Sequence, residues 1–242
     1  MTVLDDEPKT EKPNPILDAI MARISPAAVK IPTLKILIYG EPGVGKTVFS
    51  ATAPKPLLID VERGSRSVLN VNNPVDVLEF RSIEQVEAIV QYLKNGNSAF
   101  DKYDTIILDS ITELQARLLD QQLRELGDTA PVYKADFGVW GVNTQRLRML
   151  VSAFRDIEKN LICTAHVRTE KDEQTGLNVI KPFMTPGLSK TVSGIFDVVG
   201  YLRIDSKGER ILRLQPTKTI LAKSRLALPA EISNPTFDSI NK

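Results

Sequence analysis

The 242 residues are 42% hydrophobic and 25% charged, the ordinary balance of a globular chain long enough for one α/β domain with a real core. A formal net charge of +1 excludes a molecule-wide attraction for nucleic acid, so any such binding falls to a local patch. A single cysteine, Cys163, excludes an internal disulfide and a cysteine-built zinc site; no apolar run approaches the ~20 residues of a membrane span, so a cytoplasmic protein without membrane attachment is expected.

Residues 1–14 are rich in Pro, Asp, Glu and Lys and read as a flexible arm. Ile16 to Ile24 has helical apolar spacing, and Ser25-Pro26 ends it, so residues 1–30 form an arm with one short helix. From there strand and helix signals alternate, the mark of a parallel α/β sheet. Leu34 to Tyr39 is an unbroken apolar run suited to a buried parallel strand. A glycine-rich turn follows, then a helix from about Lys46 that stops before Pro54. Pro56 to Val61 is the second strand. Ser82 with Gln85, and Ser110 with Glu113, read as capping boxes on two helices that end at Gly96 and Gly127; Tyr103 to Asp109 is the strand between them. An amphipathic helix is expected from about Gly141 to Lys159, a fourth strand over Leu161 to His166, and a fifth over Phe196 to Ile204. Asp205 to Gly208 reads as a hairpin turn into Glu209–Gln215, and Thr217–Arg225 as a further antiparallel strand. The core is expected over 31–228, with 229–242 a loose tail.

The strongest chemical signal is Gly40-Glu41-Pro42-Gly43-Val44-Gly45-Lys46-Thr47, followed by Val48, in the spacing G-x-x-x-x-G-K-T. Such a loop between a buried strand and a helix points its N–H groups at phosphate oxygens. Lys46 is expected at the β- and γ-phosphates and Thr47 on Mg²⁺. Asp109, ending an apolar strand, is the expected second metal residue. Hydrolysis needs a group that orients or deprotonates water. Glu62 is the candidate, because strands of such sheets turn their C-terminal ends to the nucleotide crevice; the alternative is a solvated acidic turn pairing with Arg63 or Arg66. His166, the one histidine, faces the γ-phosphate if its strand lies between the first and third; otherwise it is a hydrogen-bonded strand end. The segment Val167 to Lys190 is long for a connector. Its Arg168, Lys171, Lys181, Lys190 and Phe183 suit single-stranded nucleic acid, although Glu170, Asp172 and Glu173 leave it only slightly positive. Lys223 and Arg225 share one face of a strand and form a cation pair that could stabilise a γ-phosphate, their own or a neighbour's, or simply charge a sheet edge.

GEPGVGKT, DVE, IILDS, CTAH and AKSR, in this order, resemble the RecA-like ATPase core, and among such proteins the small phage Sak-type single-strand annealing proteins. The resemblance covers about Ile31 to Pro229. It implies a RecA-like P-loop NTPase: a mainly parallel sheet, helices on both faces and a C-terminal antiparallel hairpin. It further implies Glu62 as the catalytic glutamate, His166 as the residue coupling γ-phosphate to a DNA-binding loop at Val167 to Lys190, a first DNA loop near Gly127 to Trp140, and Lys223 with Arg225 reaching a neighbouring subunit's site. The histidine departs from the glutamine of RecA itself, and no separate N-terminal DNA-binding domain is expected within these residues. The function so implied is ATP-dependent binding and annealing of single-stranded DNA by a homo-oligomeric ring or filament, with a single-strand-binding protein as partner. ATP is expected rather than GTP because the sequence has no Asn-Lys-x-Asp motif. The alternatives are a hexameric helicase or translocation motor and a non-hydrolysing, nucleotide-gated DNA-binding protein.

Overall fold

The computed structural model describes residues 15–22, 33–126, 135–185 and 188–241. The chain divides into two units, Met1–Pro32 and Thr33–Lys242. In the first, one helix is described, α1 (Pro15–Met21), with Ile16, Ile20 and Met21 exposed. The arm over 1–14 and the expected helix end at Ile24 lie outside the described residues.

The second unit runs β1 (Lys35–Tyr39), α2 (Lys46–Ser50), β2 (Pro56–Asp60), β3 (Asp76–Glu79), α3 (Ile83–Lys94), β4 (Thr105–Asp109), α4 (Ile111–Glu125), α5 (Phe137–Arg155), β5 (Asn160–Ala165), β6 (Val167–Lys171), β7 (Asn178–Pro182), α6 (Leu188–Ser193), β8 (Val198–Ile204), β9 (Arg210–Arg213), β10 (Lys223–Ser224) and β11 (Glu231–Ser233). Nine strands form one sheet in the order β11-β9-β8-β1-β5-β4-β2-β3, with β10 also on β8. From β8 through β3 the strands are parallel; β9 and β10 pair antiparallel with β8, and β11 pairs antiparallel with β9. This is the mainly parallel α/β sheet with C-terminal antiparallel strands that the sequence led us to expect, the fold of a P-loop NTPase.

The central strands β1, β2 and β4 are buried at every residue, as their continuous apolar runs require. Their side chains alternate between faces. Leu37 and Tyr39 join the cluster formed with α3, α4, α5 and α6, while Ile36 and Ile38 pack with Phe49 of α2 and with Phe237. The helix starts follow local chemistry. The Ser82 hydroxyl accepts from Gln85 N at 3.4 Å and the Ser110 hydroxyl from Glu113 N at 3.3 Å. Asp136 accepts from Val139 N at 2.8 Å, and this cap starts α5 at Phe137 rather than at the expected Gly141.

Four segments depart from the sequence reading, the first being the strand expected over Thr217–Arg225, of which only the two residues of β10 pair with β8. β3 adds an edge strand parallel to β2, in a stretch whose charged, largely exposed residues hide the strand pattern. The long segment after His166 is an ordered hairpin, β6 paired antiparallel with β7, followed by α6. The expected tail is built into the sheet: β11 pairs with β9, and Phe237 and Ile240 are 1% and 0% exposed. Two apolar side chains near a chain end anchor it when they reach a core cluster.

Candidate nucleotide site and adjoining cleft

β1 delivers the chain into the glycine-rich loop at the sheet's C-terminal edge. Two of its glycines are demanded by geometry. A β-carbon on Gly40 would lie 2.2 Å from the Leu202 carbonyl oxygen on β8, and Gly45 has φ +98°, in the left-handed region. Lys46 is 6% exposed, and its Nζ donates to the Gly40 and Glu41 carbonyls at 3.0 Å each. An ammonium has three donors, so one remains for an anion. Burial lowers the pKa of Lys46, with Glu62 and Asp109 opposing that effect.

Asp109 ends β4, 2% exposed, and accepts from the Thr47 hydroxyl at 2.6 Å and from the Thr164 hydroxyl on β5. Burial raises its pKa, against the two hydroxyl bonds. A hydroxyl and a buried carboxylate in contact fit Mg²⁺, which takes one or two protein oxygens and fills its octahedron with water and phosphate. No cluster of three or more His, Cys, Asp or Glu residues suited to a metal occurs among the described residues.

Glu62 follows β2, and its N–H donates to the Asp109 carbonyl at 3.1 Å. Its Oε1 lies 2.9 Å from His166 Nε2, at the end of β5. β5 sits between β1 and β4, the position that turns its C-terminal end toward the loop. The His166 hydrogen bond, with help from Ser110, pulls the Glu62 pKa down against burial; the same bond raises that of His166. The pairing with Arg63 or Arg66 does not occur among the described contacts. Asp60, by contrast, is 1% exposed and accepts from Gly64 N and Ser65 N at 2.9 and 3.0 Å, which folds the turn after Glu62.

A buried loop lysine, a hydroxyl–carboxylate pair and a second carboxylate thus converge at one end of a parallel sheet. The family model of the AAA domain matches residues 33–226. The chain belongs to that family. Among curated proteins no match is found. An AAA domain is of the P-loop ATPase type, so nucleotide binding and ATPase activity are the activity class of this chain.

Beside the nucleotide site the AAA domain carries a cleft of about 870 Å³ whose walls include Phe137, Trp140, His166, Arg168, Phe183 and Met184. Its floor is a buried polar network. The Gln115 side chain donates to Asn143 Oδ1 at 3.0 Å and Thr185 Oγ1 at 2.6 Å, and accepts from Thr185 N at 3.1 Å. The network binds α4 and α5 to the segment after β7. Phe183 N donates to the His166 carbonyl at 2.7 Å. Thr112 Oγ1 accepts from His166 N and donates to the Phe183 carbonyl, each at 3.0 Å. The Glu62 partner and the cleft wall are therefore tied through two backbone links. Thr112, Gln115 and Thr185 escaped the sequence reading, because a Thr or Gln carries no motif and acts here only through its tertiary partners.

The residues expected at nucleic acid divide in two. Arg168 lies 5.5 Å from the Phe183 ring centroid and Phe183 is 45% exposed, so these two face the cleft. Glu170 neutralises much of the hairpin: it pairs with Arg168 Nε at 2.6 Å and also with Lys181. Lys171 is exposed on β6. The side chain of Lys190 and most of the expected first DNA loop, 127–134, lie outside the described residues.

Lys223 and Arg225 are not brought to the chain's own P-loop. β10 pairs with the start of β8, Lys223 opposite Val199, while the P-loop leaves the other end of β1. Lys223 Nζ donates to the Phe196 carbonyl at 2.8 Å, and Arg225 Nη2 to the Gly194 carbonyl at 3.0 Å. Arg225 Nη1 pairs with Asp197 at 3.0 Å. The carbonyls exposed at the end of α6 attract nearby cations, and that local attraction overrides a role toward the chain's own phosphates.

Proposed function

We propose that this chain is an ATP-dependent protein of phage recombination type that binds and anneals single-stranded DNA. Lys46 and the loop N–H groups of Gly43 to Val48 bind the triphosphate, and Thr47 and Asp109 hold Mg²⁺. When bound, Mg²⁺ supplies neutralisation of phosphate charge. Glu62 orients and deprotonates the attacking water. His166 fixes the Glu62 carboxylate and carries its position to the cleft, where Phe183 and Arg168 receive the DNA, with Lys171, Lys181 and Lys190 around them. The chain works as a homo-oligomer, in which Lys223 and Arg225 face a neighbouring copy, and with a single-strand-binding protein.

One observation carries this reading: the hydrogen-bonded path from Glu62 through His166 to Phe183, which joins the hydrolytic carboxylate to the wall of an aromatic cleft. The test is ATP turnover with and without single-stranded DNA. Stimulation of several-fold is expected, together with loss of that stimulation in Phe183→Ala. A rate indifferent to DNA would detach the cleft from the nucleotide site and remove the DNA-linked part of the proposal.

A further inference from the structure

Arg210 opens β9, outside every motif in the sequence. Its side chain lies directly on the P-loop: Nε donates to the Val44 carbonyl at 3.1 Å. A β-carbon on Gly45 would sit 2.5 Å from Arg210 Nε, 3.1 Å from Cδ and 3.2 Å from Cζ, so Gly45 is small for two reasons, its left-handed backbone and this guanidinium. The main chain at Arg210 is pinned on both sides. It pairs with Ile204 of β8, and its carbonyl accepts from Asn234 N at 2.7 Å, just past β11.

The other two arginines of the β8–β9 hairpin are neutralised: Arg203 and Arg213 both pair with Glu231, at 3.3 and 2.9 Å. Among the described residues Arg210 has no carboxylate partner, and its terminal Nη groups make no hydrogen bond. Arg210 is exposed, so water solvates those groups, and a guanidinium edge held on the P-loop by its Nε bond is free to exchange that water for an anion.

We propose that Arg210 is a second cation of the nucleotide site, a positioning residue supplied by the C-terminal antiparallel strands. Through Val44 it fixes the peptide planes of a loop that otherwise relies on two left-handed glycines, Gly43 and Gly45. Its unpaired guanidinium edge adds positive charge beside the same loop. The ligand class is a nucleoside triphosphate, and the inference rests on the nucleotide-binding reading above. It also gives the last strand a role at the site: β11 holds β9, and Phe237 N donates to Thr52 Oγ1 just after α2, at 2.8 Å.

The experiment uses the full chain as wild type, Arg210→Ala and Arg210→Lys. It measures ATP KM and kcat, equilibrium binding of a ribose-labelled fluorescent ATP, and the urea unfolding midpoint. Arg210→Ala is expected to weaken nucleotide binding about tenfold, the scale of one charge-assisted hydrogen bond, with the loss falling on KM more than on kcat. Arg210→Lys keeps the charge without the planar fork and is expected to recover part of the affinity. A lowered unfolding midpoint with unchanged nucleotide affinity would reduce Arg210 to a structural contact and overturn the proposal. Should Arg210→Ala fail to fold, full wild-type affinity in Arg210→Lys overturns the Nε bracing role, and intermediate affinity supports it. A wild-type chain that binds no nucleotide overturns the underlying reading instead.

Discussion

The nucleotide end of the sheet and the β6–β7 hairpin beside it both concentrate charge, but they hold it differently. At the nucleotide end Lys46 and Asp109 are nearly inaccessible, and each has its orientation fixed by short bonds to backbone or hydroxyl groups. On the hairpin Arg168 and Lys181 share one carboxylate, Glu170, with the three side chains between 20% and 39% exposed. A buried charge is felt strongly and is costly to leave unpaired, whereas a part-exposed pair is partly screened by water and exchanges partners more readily. The first arrangement suits a fixed chemical site and the second suits a surface that trades an internal partner for an external anion.

That contrast can be broken in order of expected size. Glu62→Gln keeps the volume and removes the base; turnover is expected to fall by about 10²–10⁴-fold, the usual share of a positioned base, while ATP affinity stays within about threefold. A Glu62→Gln protein that turns over normally would leave the site without its proposed base. Lys46→Ala deletes the buried cation, and ATP binding by equilibrium titration is expected to weaken on the order of 100-fold. Normal hydrolysis by that variant would be incompatible with the P-loop assignment. On the hairpin the expected effect is smaller and opposite in sign. Glu170→Gln frees Arg168 and Lys181, so single-stranded DNA affinity should rise by roughly severalfold and its salt slope should steepen; unchanged affinity and slope would show that the hairpin does not meet phosphate.

The smallest effect sits where the two regions meet. His166 has its pKa raised from an ordinary 6.5, so its contribution is complete below 6.5 and is lost as pH rises through the raised value. Glu62 has its pKa lowered from 4.5, so its contribution is complete above 4.5 and is lost as pH falls through the lowered value. The pair therefore stabilises most fully between those ordinary values. The unfolding free energy of wild type minus His166→Ala should be largest near the middle of that window, by under about 1 kcal/mol for a part-exposed pair, and should shrink above neutrality. A difference that is flat with pH would mean that the contact is not an ion pair.

The elements legible in the sequence are those whose signal is local. The P-loop reads directly because Gly45 must adopt a left-handed backbone and Lys46 must follow it. The buried strands read as apolar runs, and Ser82 and Ser110 announce helix starts through one short bond each. Asp109 reads as a polar residue ending an apolar run. The failures have the opposite character. β3 is an edge strand in which only Leu78 reaches the core cluster while Asp76, Val77 and Glu79 are exposed, so burial writes too thin a pattern into it. The β6–β7 hairpin is mostly polar, and its pairing depends on register between strands rather than on either strand alone. Phe237 and Ile240 are two apolar residues in a polar stretch, a signal too thin to distinguish a docked end from a loose one.

The sequence by itself determined a mainly parallel α/β sheet, a phosphate-binding loop at its edge and the carboxylates at the ends of β2 and β4, because backbone conformation and burial along one strand are local properties. Only the tertiary structure decided which groups meet. It turned Glu62 to His166 and not to Arg63 or Arg66, bonded Lys223 and Arg225 to the end of α6, and laid Arg210 on Gly45 from a strand 165 positions away. Those pairings depend on strand order and register, which are set by how the two faces of the sheet bury their side chains and not by any short run of residues.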